Sequence, residues 1–473
     1  MFWLVSFNWG PESRCVDGWA NEVQRAPSVH FRGIRWLAPA AHRTAKAERC
    51  SGAADAYAAG AAILARVAAA FEGRLDAAST APLAVGFSGG GDSLALLLAA
   101  CAWARPRNRP VVALTVDHGL NAQSRAWTRH AARIAAAIGV GFRALAWDGG
   151  KPATGLQAAA RRARHALLAG AAREAGASVV LLGHTRDDRS EAAWMRAQGS
   201  SVGDPREWSP SPAWPEGRGI FLLRPLLNLG RAELRELLAP SGLDWIEDPA
   251  NQDSRHLRAL ARMAGAGLPP PAADPAVDGE FRVDDAGSVR LARDASPRLL
   301  AIACVCAGGG ERLPRRESVD RLRVRLAAGE RFTATLAGAR IEAGQEVMIG
   351  RDPGRLETLA TTLSPSGPTV FDGRFELIVH REGLKLQPLG GLLSRMEKQS
   401  RLQLGAFSPS ARRTLPALVE ADGTVTCPIL AQSAWASARS LVRGRLEAAC
   451  GRIARESPLT ARSHGGQGPG VLS

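Results

Sequence analysis

The chain has 473 residues, of which 46% are hydrophobic and 22% charged, and a formal net charge of +15. That length calls for two to four domains at about 100 to 200 residues each, and the composition excludes a disordered chain. No stretch of ~20 apolar residues is present to span a bilayer. Only four of the 60 basic Lys and Arg residues are lysine. A GC-rich coding bias would explain that preference but not the net positive excess, which favours a polyanionic partner, most directly nucleic acid. The seven cysteines are odd in number and form no C-x-x-C pair, which argues against a disulfide framework or a zinc site and for a reducing cytoplasm.

Residues 1–80 read as an N-terminal extension of doubtful structure, with an alanine-rich helix expected over Ala53–Ala70. Met1 to Phe7 is apolar but lacks the basic leader and long apolar core of a secretory signal. No methionine lies between Met1 and Met195, so a natural start at a non-methionine codon nearer the helix is an expectation for N-terminal mass analysis to test. From Leu83 the pattern alternates. Apolar strands are expected at Leu83–Phe87, Val111–Val116, Phe142–Trp147 and Val179–Leu182, separated by helices that include Arg125–Ile138 and Leu156–Ala175. Strand and helix in strict turn predict an α/β fold, a parallel sheet with helices on both faces, whose ligands bind beyond the carboxyl ends of the strands. Ser88, Asp117, His118 and His184 all fall there.

The first strand runs into Ser88-Gly89-Gly90-Gly91-Asp92-Ser93 and then an apolar helix. Consecutive glycines let main-chain N–H groups approach an anion, and the helix turns its unsatisfied N–H groups to the same point. Unlike a Walker loop, it has no following Lys to reach a terminal phosphate. Serines at both ends suit a held pyrophosphate, with Asp92 near a magnesium ion. Taken alone, the loop also fits a glycine-rich turn before a core helix.

Downstream, Gly183-His184-Thr185-Arg186-Asp187-Asp188-Arg189-Ser190-Glu191 opens another helix. Its four-residue spacings present carboxylates beside an imidazole, suited to magnesium or an ammonium group; helix-dipole stabilisation by N-terminal acids is the plain alternative. Gln157, Arg161, Arg164 and His165 share one helical side, a solvated basic face or a phosphate contact. Gly199–Gly219, rich in Ser, Pro, Gly and Trp, reads as a long mobile loop able to act as a lid. Arg224-Pro225-Leu226-Leu227 ends a strand with Arg224 free to face an anion or carboxylate, and Asp248–Asn251 is an acidic turn followed by Arg258 and Arg262. The expected organisation is a catalytic domain over 81–265, a linker over 266–290 around Pro269–Pro275, a smaller α+β region over 291–456 and a disordered tail over 457–473. In that region a helix is expected at Glu317–Ala328 and strands at Phe332–Ile341, Glu346–Ile349 and Phe375–His380. Cys304 and Cys306 read as core.

In this order Ser88–Ser93, Asp117–Leu120, Gln157–His165, His184–Glu191, Arg224–Leu227 and Asp248–Asn251 resemble the tRNA(Ile)-lysidine synthase family of the PP-loop ATP pyrophosphatase superfamily, over roughly Leu83–Arg262. Phe371–Phe375 and Leu415–Val419 look like that family's C-terminal region. The resemblance implies an ATP-dependent ligase of two steps. Carbon 2 of the wobble cytidine of a CAU-anticodon tRNA(Ile) is adenylated through its oxygen, and free L-lysine then displaces AMP. Ser88, Gly89, Gly90, Gly91, Asp92 and Ser93 would bind ATP, with Asp92 at the magnesium. Asp188 and Arg224 would recognise the charged groups of lysine, and His184 or Asp187 would accept a proton. Arg161, Arg164 and Arg258 would face tRNA, and the C-terminal region would select it. No membrane partner is expected, and a homodimer is left open.

The chain departs from the family pattern at Asp117 and Asn121 around His-Gly-Leu, at Ala259 after Arg258, and at Gln198-Gly199 after the acidic helix. Two rival readings are a PP-loop tRNA thiolation enzyme, which needs a reactive cysteine near the loop where only Cys101 lies, and a catalytically silent tRNA-binding paralogue.

Overall fold

The computed structural model describes residues 51–200, 202–247, 277–356, 360–430 and 435–457. The expectations for the first 50 residues, Asp248–Asn251, Arg258, Arg262, Pro269–Pro275 and residues 458–473 lie outside them. The first element is α1 (Ser51–Arg74), longer than the helix expected there. It is followed by β1 (Leu83–Gly86), α2 (Gly91–Ala104), β2 (Val111–Asp117), α3 (Ser124–Ile138), β3 (Gly141–Ala146), α4 (Leu156–Glu174), β4 (Val179–Leu182), α5 (Arg186–Ala197), β5 (Trp208–Pro210), β6 (Phe221–Leu223) and α6 (Arg231–Leu238).

The strands form one six-stranded sheet in the order β3-β2-β1-β4-β6-β5, parallel except for β5. The central strands are near-continuous apolar runs because both faces are covered. Leu83, Val85, Val179 and Leu181 pack on one side with α2 and α3, while Ala84, Val180 and Leu222 pack on the other with Leu168 and Ala172 of α4. Ile63, Val67 and Phe71 of α1, with Leu75 just after it, join the first of these cores together with Leu234, Leu237 and Leu238 of α6. The helix read as part of an extension is therefore a structural member of the catalytic domain.

Gly199–Gly219 also differs from the mobile loop expected of it. Trp208 lies in β5, paired with Leu223 and stacked on Phe221 at 4.8 Å between ring centroids. Further on, the Trp214 indole N–H donates to the Gly373 carbonyl (2.9 Å), and Arg445 lies 4.0 Å over its ring. Arg218 donates to Glu376, which also accepts from Arg439 (2.7 Å). Glycine and proline suggested an open loop, but the tryptophans and Arg218 dock the segment on the C-terminal region.

That region begins earlier than expected, since β7 (Phe281–Val283) and β8 (Val289–Leu291) form a hairpin within the span read as linker. Alternating Phe281, Val283, Val289 and Leu291 with a turn at Gly287 (φ +75°) supplies the strand signal. The chain continues through α7 (Pro297–Ala307), α8 (Arg316–Ala327), β9 (Phe332–Leu336), β10 (Ala339–Ala343) and β11 (Val347–Arg351). The sheet order is β7-β8-β11-β10-β9. Phe332–Ile341 is thus two strands rather than one, reversed at Ala337 and Gly338, both in the left-handed region (φ +51° and +80°). Cys304 and Cys306 of α7 are core residues, as expected.

Next come β12 (Thr361–Thr362), β13 (Thr369–Phe371), β14 (Phe375–Val379), β15 (Lys385–Pro388), α9 (Lys398–Gln403), α10 (Pro409–Arg413), β16 (Pro416–Val419), β17 (Val425–Thr426), β18 (Ala436–Ser440) and α11 (Val442–Ala449). They build a four-stranded and a three-stranded sheet over a shared core. Asp372 sits at a left-handed turn position (φ +52°) and accepts from both Arg351 and the buried Arg374, each at 2.8 Å. Arg374 also donates to the Thr414 carbonyl (2.6 Å). The Phe-Asp-Gly-Arg-Phe motif is therefore a structural hub beside the Trp214 contact.

After α11 the chain returns to the catalytic sheet. Glu456 accepts two hydrogen bonds from Arg109 (2.5 and 2.9 Å), one from the Ser178 hydroxyl (3.1 Å) and one from the Asp76 N–H (3.0 Å). Arg109 also donates to the Ala81 carbonyl (2.6 Å), and Trp208 donates to the Ile453 carbonyl (2.7 Å). Ala81, Arg109 and Ser178 lie just ahead of β1, β2 and β4, so this clamp closes the amino edge of the sheet, opposite the glycine loop. Among the described residues no helix is long and apolar enough to cross a membrane.

Candidate active site

The glycine loop connects β1 to α2 as the sequence predicts. Gly89 is in the left-handed region (φ +82°), and a Cβ there would lie 2.6 Å from Ile246 Cδ1. The positive φ favours glycine, and a Cβ would also displace the end of the Ile246 side chain. The Ile246 N–H donates to the Gly89 carbonyl (2.9 Å), so Trp245–Glu247 lines the loop. Ser93 Oγ donates to the Gly90 carbonyl (2.8 Å) and lies 3.2 Å from Ser88 Oγ, tying the two ends together. A Cβ on Gly183 would meet the Asp92 carbonyl at 3.1 Å, which is why the end of β4 can press against the start of α2.

That approach brings the second motif to the first. Thr185 caps α5. Its hydroxyl accepts from the Asp188 N–H (3.4 Å), while Asp188 Oδ2 accepts from the Thr185 N–H (2.8 Å) and hydroxyl (3.0 Å). The dipole reading of this acidic cluster is thus correct for one oxygen of Asp188. Its other oxygen faces Arg231, the first residue of α6.

Arg231 is the junction of the site. Its guanidinium pairs with Asp92 Oδ2 (3.3 Å), Asp188 Oδ1 (3.0 Å) and Glu191 Oε1 (2.6 Å), and its backbone N–H donates to Asp187 Oδ2 (2.9 Å). Asp188 and Glu191 are buried, whereas Arg231 and Asp92 keep about a quarter of their side chains exposed, 23% and 26%. Burial raises the Asp92 pKa from its usual carboxylate value and Asp188 raises it further, against the lowering effect of Arg231. Arg231 is held firmly protonated by the three carboxylates despite its burial.

The basic candidates form a second group. Arg224 is buried at the end of β6 and donates to the Arg206 carbonyl (2.7 Å) and Ser209 Oγ (3.2 Å), while its Nε has no partner. Burial, followed by Arg161 and Arg164, lowers its pKa to about 10. His165 is buried among Arg164, Arg161, Arg224 and His184. Burial first and then these cations push its pKa down to about 2, so it is neutral, and neither ring nitrogen has a hydrogen-bond partner. Arg164 is half-buried and Arg161 exposed. His184 is half-buried at the end of β4. At the end of β2, His118 stands edge-on to Trp147 with ring centroids 6.2 Å apart.

The structure therefore brings Ser88–Ser93, Asp187 and Asp188 together around Arg231, and sets Arg161, Arg164 and Arg224 around His165. It adds two residues that sequence reasoning did not assign to the site, Arg231 and Glu191. Glu191 had the visible four-residue spacing from Asp187. The signal for Arg231 is a cation on the first turn of α6, where the dipole disfavours it.

A PP-loop domain family model matches residues 64–264. Over 402 residues the chain is 51% identical to the tRNA(Ile)-lysidine synthase of Caulobacter vibrioides, covering 83% of this chain and 98% of that one. It is also 36% identical to proteins of the same name from Hyphomonas neptunium, covering 55% of this chain and 79% of that one, and from Methylobacterium sp., covering 57% and 89%.

Proposed function

The chain belongs to the tRNA(Ile)-lysidine synthase family, and from that premise we propose how its residues carry out ATP-dependent lysidine formation. The substrate is the wobble cytidine of a CAU-anticodon tRNA(Ile). Its O2 forms a bond to the α-phosphorus of ATP as the bond to pyrophosphate breaks. The side-chain amine of lysine then bonds to carbon 2, AMP leaves, and the ammonium proton passes to a base.

The loop N–H groups of Gly89–Gly91 and the hydroxyls of Ser88 and Ser93 hold the polyphosphate and stabilise charge on departing pyrophosphate. Asp92 fits a magnesium ion borne by nucleotide, since such ions take one or two carboxylates with phosphate oxygens, and no cluster among the described residues would hold a metal unaided. Bound there, the ion would neutralise phosphate charge. Asp188 with Glu191 attracts the ε-ammonium, and the unpaired Nε of Arg224 suits the α-carboxylate. The proton is assigned to His184 in preference to Asp187, because Asp187 already accepts from the Arg231 N–H. Arg161 and Arg164 face the RNA phosphates, and Arg258 is assigned there from sequence alone.

The observation that supports this reading is the sharing of Arg231 between Asp92 of the glycine loop and Asp188 of the acidic helix, since a phosphate site at the first would lie beside a cation site at the second. Thiolation is disfavoured because Cys101, the cysteine near the loop, is buried and its pKa is pushed up to about 11. Free buried thiols suit the cytoplasm. Incubation with the CAU tRNA(Ile), ATP, magnesium and radiolabelled lysine is expected to label RNA only when ATP is present. Pyrophosphate release without label in RNA, or tRNA binding without ATP cleavage, would overturn the assignment.

A further inference from the structure

Arg231 stands where a cation is unfavourable, on the first turn of α6 facing the positive end of the helix dipole. Asp92, Asp188 and Glu191, at 3.3, 3.0 and 2.6 Å, hold its guanidinium there. The backbone is pinned, since Asp187 accepts from the Arg231 N–H (2.9 Å) and Glu233 from the Gly230 N–H (2.7 Å). The side chain is not enclosed to the same degree, with 23% of it exposed. An ammonium approaching Asp188 and Glu191 therefore meets a position already filled. Asp92, the Arg231 partner at 3.3 Å, belongs to the glycine loop, so polyphosphate seated in that loop would approach the same guanidinium from its Asp92 side. One arginine cannot neutralise both at once.

We propose that Arg231 is a gate that makes lysine binding conditional on nucleotide. In the free enzyme it fills the ammonium position; polyphosphate in the loop draws its guanidinium off Asp188 Oδ1 and Glu191 Oε1, and the ε-ammonium of lysine takes its place on those two oxygens. The proposal rests on the lysine reading of the site given above. It makes substrate addition ordered, nucleotide before lysine, because the two states differ in which anion the single guanidinium satisfies. Arg231 is on this account a positioning residue, acting through the carboxylates it covers and uncovers.

The test is equilibrium binding of radiolabelled L-lysine to the full-length enzyme without tRNA, with and without magnesium and an α,β-methylene ATP analogue. The wild type is expected to bind lysine at least tenfold more tightly with the analogue. Arg231→Gln is expected to bind lysine at least tenfold more tightly than the wild type in the free state and to lose the effect of the analogue. Arg231→Lys, which keeps a cation, is expected to retain the nucleotide dependence. If Arg231 merely braced the carboxylates, Arg231→Gln would bind lysine more weakly in both states, and that result would overturn the gate. Equal lysine affinity of the wild type with and without the analogue would also overturn it. A wild-type enzyme that transfers lysine to RNA yet shows that equality removes the gate alone, whereas one that transfers no lysine removes the functional reading and the gate together.

Discussion

Glu456→Ala is the substitution with the largest consequence that the structure allows to be worked out. The Arg109 and Glu456 side chains are 0% and 2% exposed. Removing the carboxylate leaves a guanidinium enclosed without a counter-charge, a change that typically costs about 3–5 kcal/mol. The Ser178 hydroxyl and the Asp76 N–H lose an acceptor as well. Urea unfolding followed by circular dichroism and tryptophan fluorescence should therefore show a loss of about 3–5 kcal/mol in the transition that includes the catalytic sheet. Arg109→Met added to Glu456→Ala removes the stranded charge, and the double variant should be more stable than Glu456→Ala alone, since the penalty is the uncompensated ion rather than the lost contact. Because the clamp lies at the sheet edge opposite the glycine loop, lysine transfer at low temperature should be retained. A loss below about 1 kcal/mol, or a double variant no better than the single one, would refute this account.

Acid should destabilise the fold through His165. Its folded pKa is near 2 against an ordinary 6.5, so only the unfolded state takes up a proton as pH falls through 6.5. The stability is complete above that value and declines by about 1.4 kcal/mol per unit below it. His165→Phe should flatten this part of the pH dependence between pH 7.5 and 5 in thermal melts; an unchanged slope would count against a neutral buried imidazole. Gly89→Ala places a Cβ 2.6 Å from Ile246 at positive φ, and ATP binding measured by filter assay should weaken at least tenfold, from about 1–2 kcal/mol of backbone strain with the displacement of Ile246 added. If Arg161 contacts a phosphate, Arg161→Ala should reduce the slope of log K against log salt for tRNA binding by about 0.7, whereas an unaltered slope would remove it from the interface.

The parts of the fold that were legible in the sequence are those where local pattern and burial agree. The strands β1, β2 and β4 are apolar runs bounded by glycines and ligand-bearing ends, and the glycine loop needs its residue types wherever the chain goes next. The pairing of the loop with the acidic helix was expected from strand-end logic, and the Arg231 geometry agrees with it. What was not legible depended on distant partners. Trp208, Trp214 and Arg218 look like loop residues until Phe221, Gly373 and Glu376 are beside them. The C-terminal clamp has no local signature, because Glu456 acquires its meaning only from Arg109. Arg231 was hidden for a related reason. Within its own helix it is an ordinary basic residue, and the three acids that define it come from two other elements. Arg224 was expected to face a ligand freely, but it is buried with Nη1 engaged by two acceptors and Nε buried without a partner.

The clamp also sets a timetable for biogenesis. Glu456 emerges from the ribosome 347 residues after Arg109, which at roughly 5–20 residues per second amounts to roughly 17–70 s. Throughout that interval the Arg109 guanidinium at the base of the nascent sheet lacks its carboxylate, and Trp208, once made, lacks the Ile453 carbonyl to which its indole N–H donates. Polypeptides released before Glu456 would lack that counter-charge, so the durability of the catalytic half depends on the chain having been made through the C-terminal region.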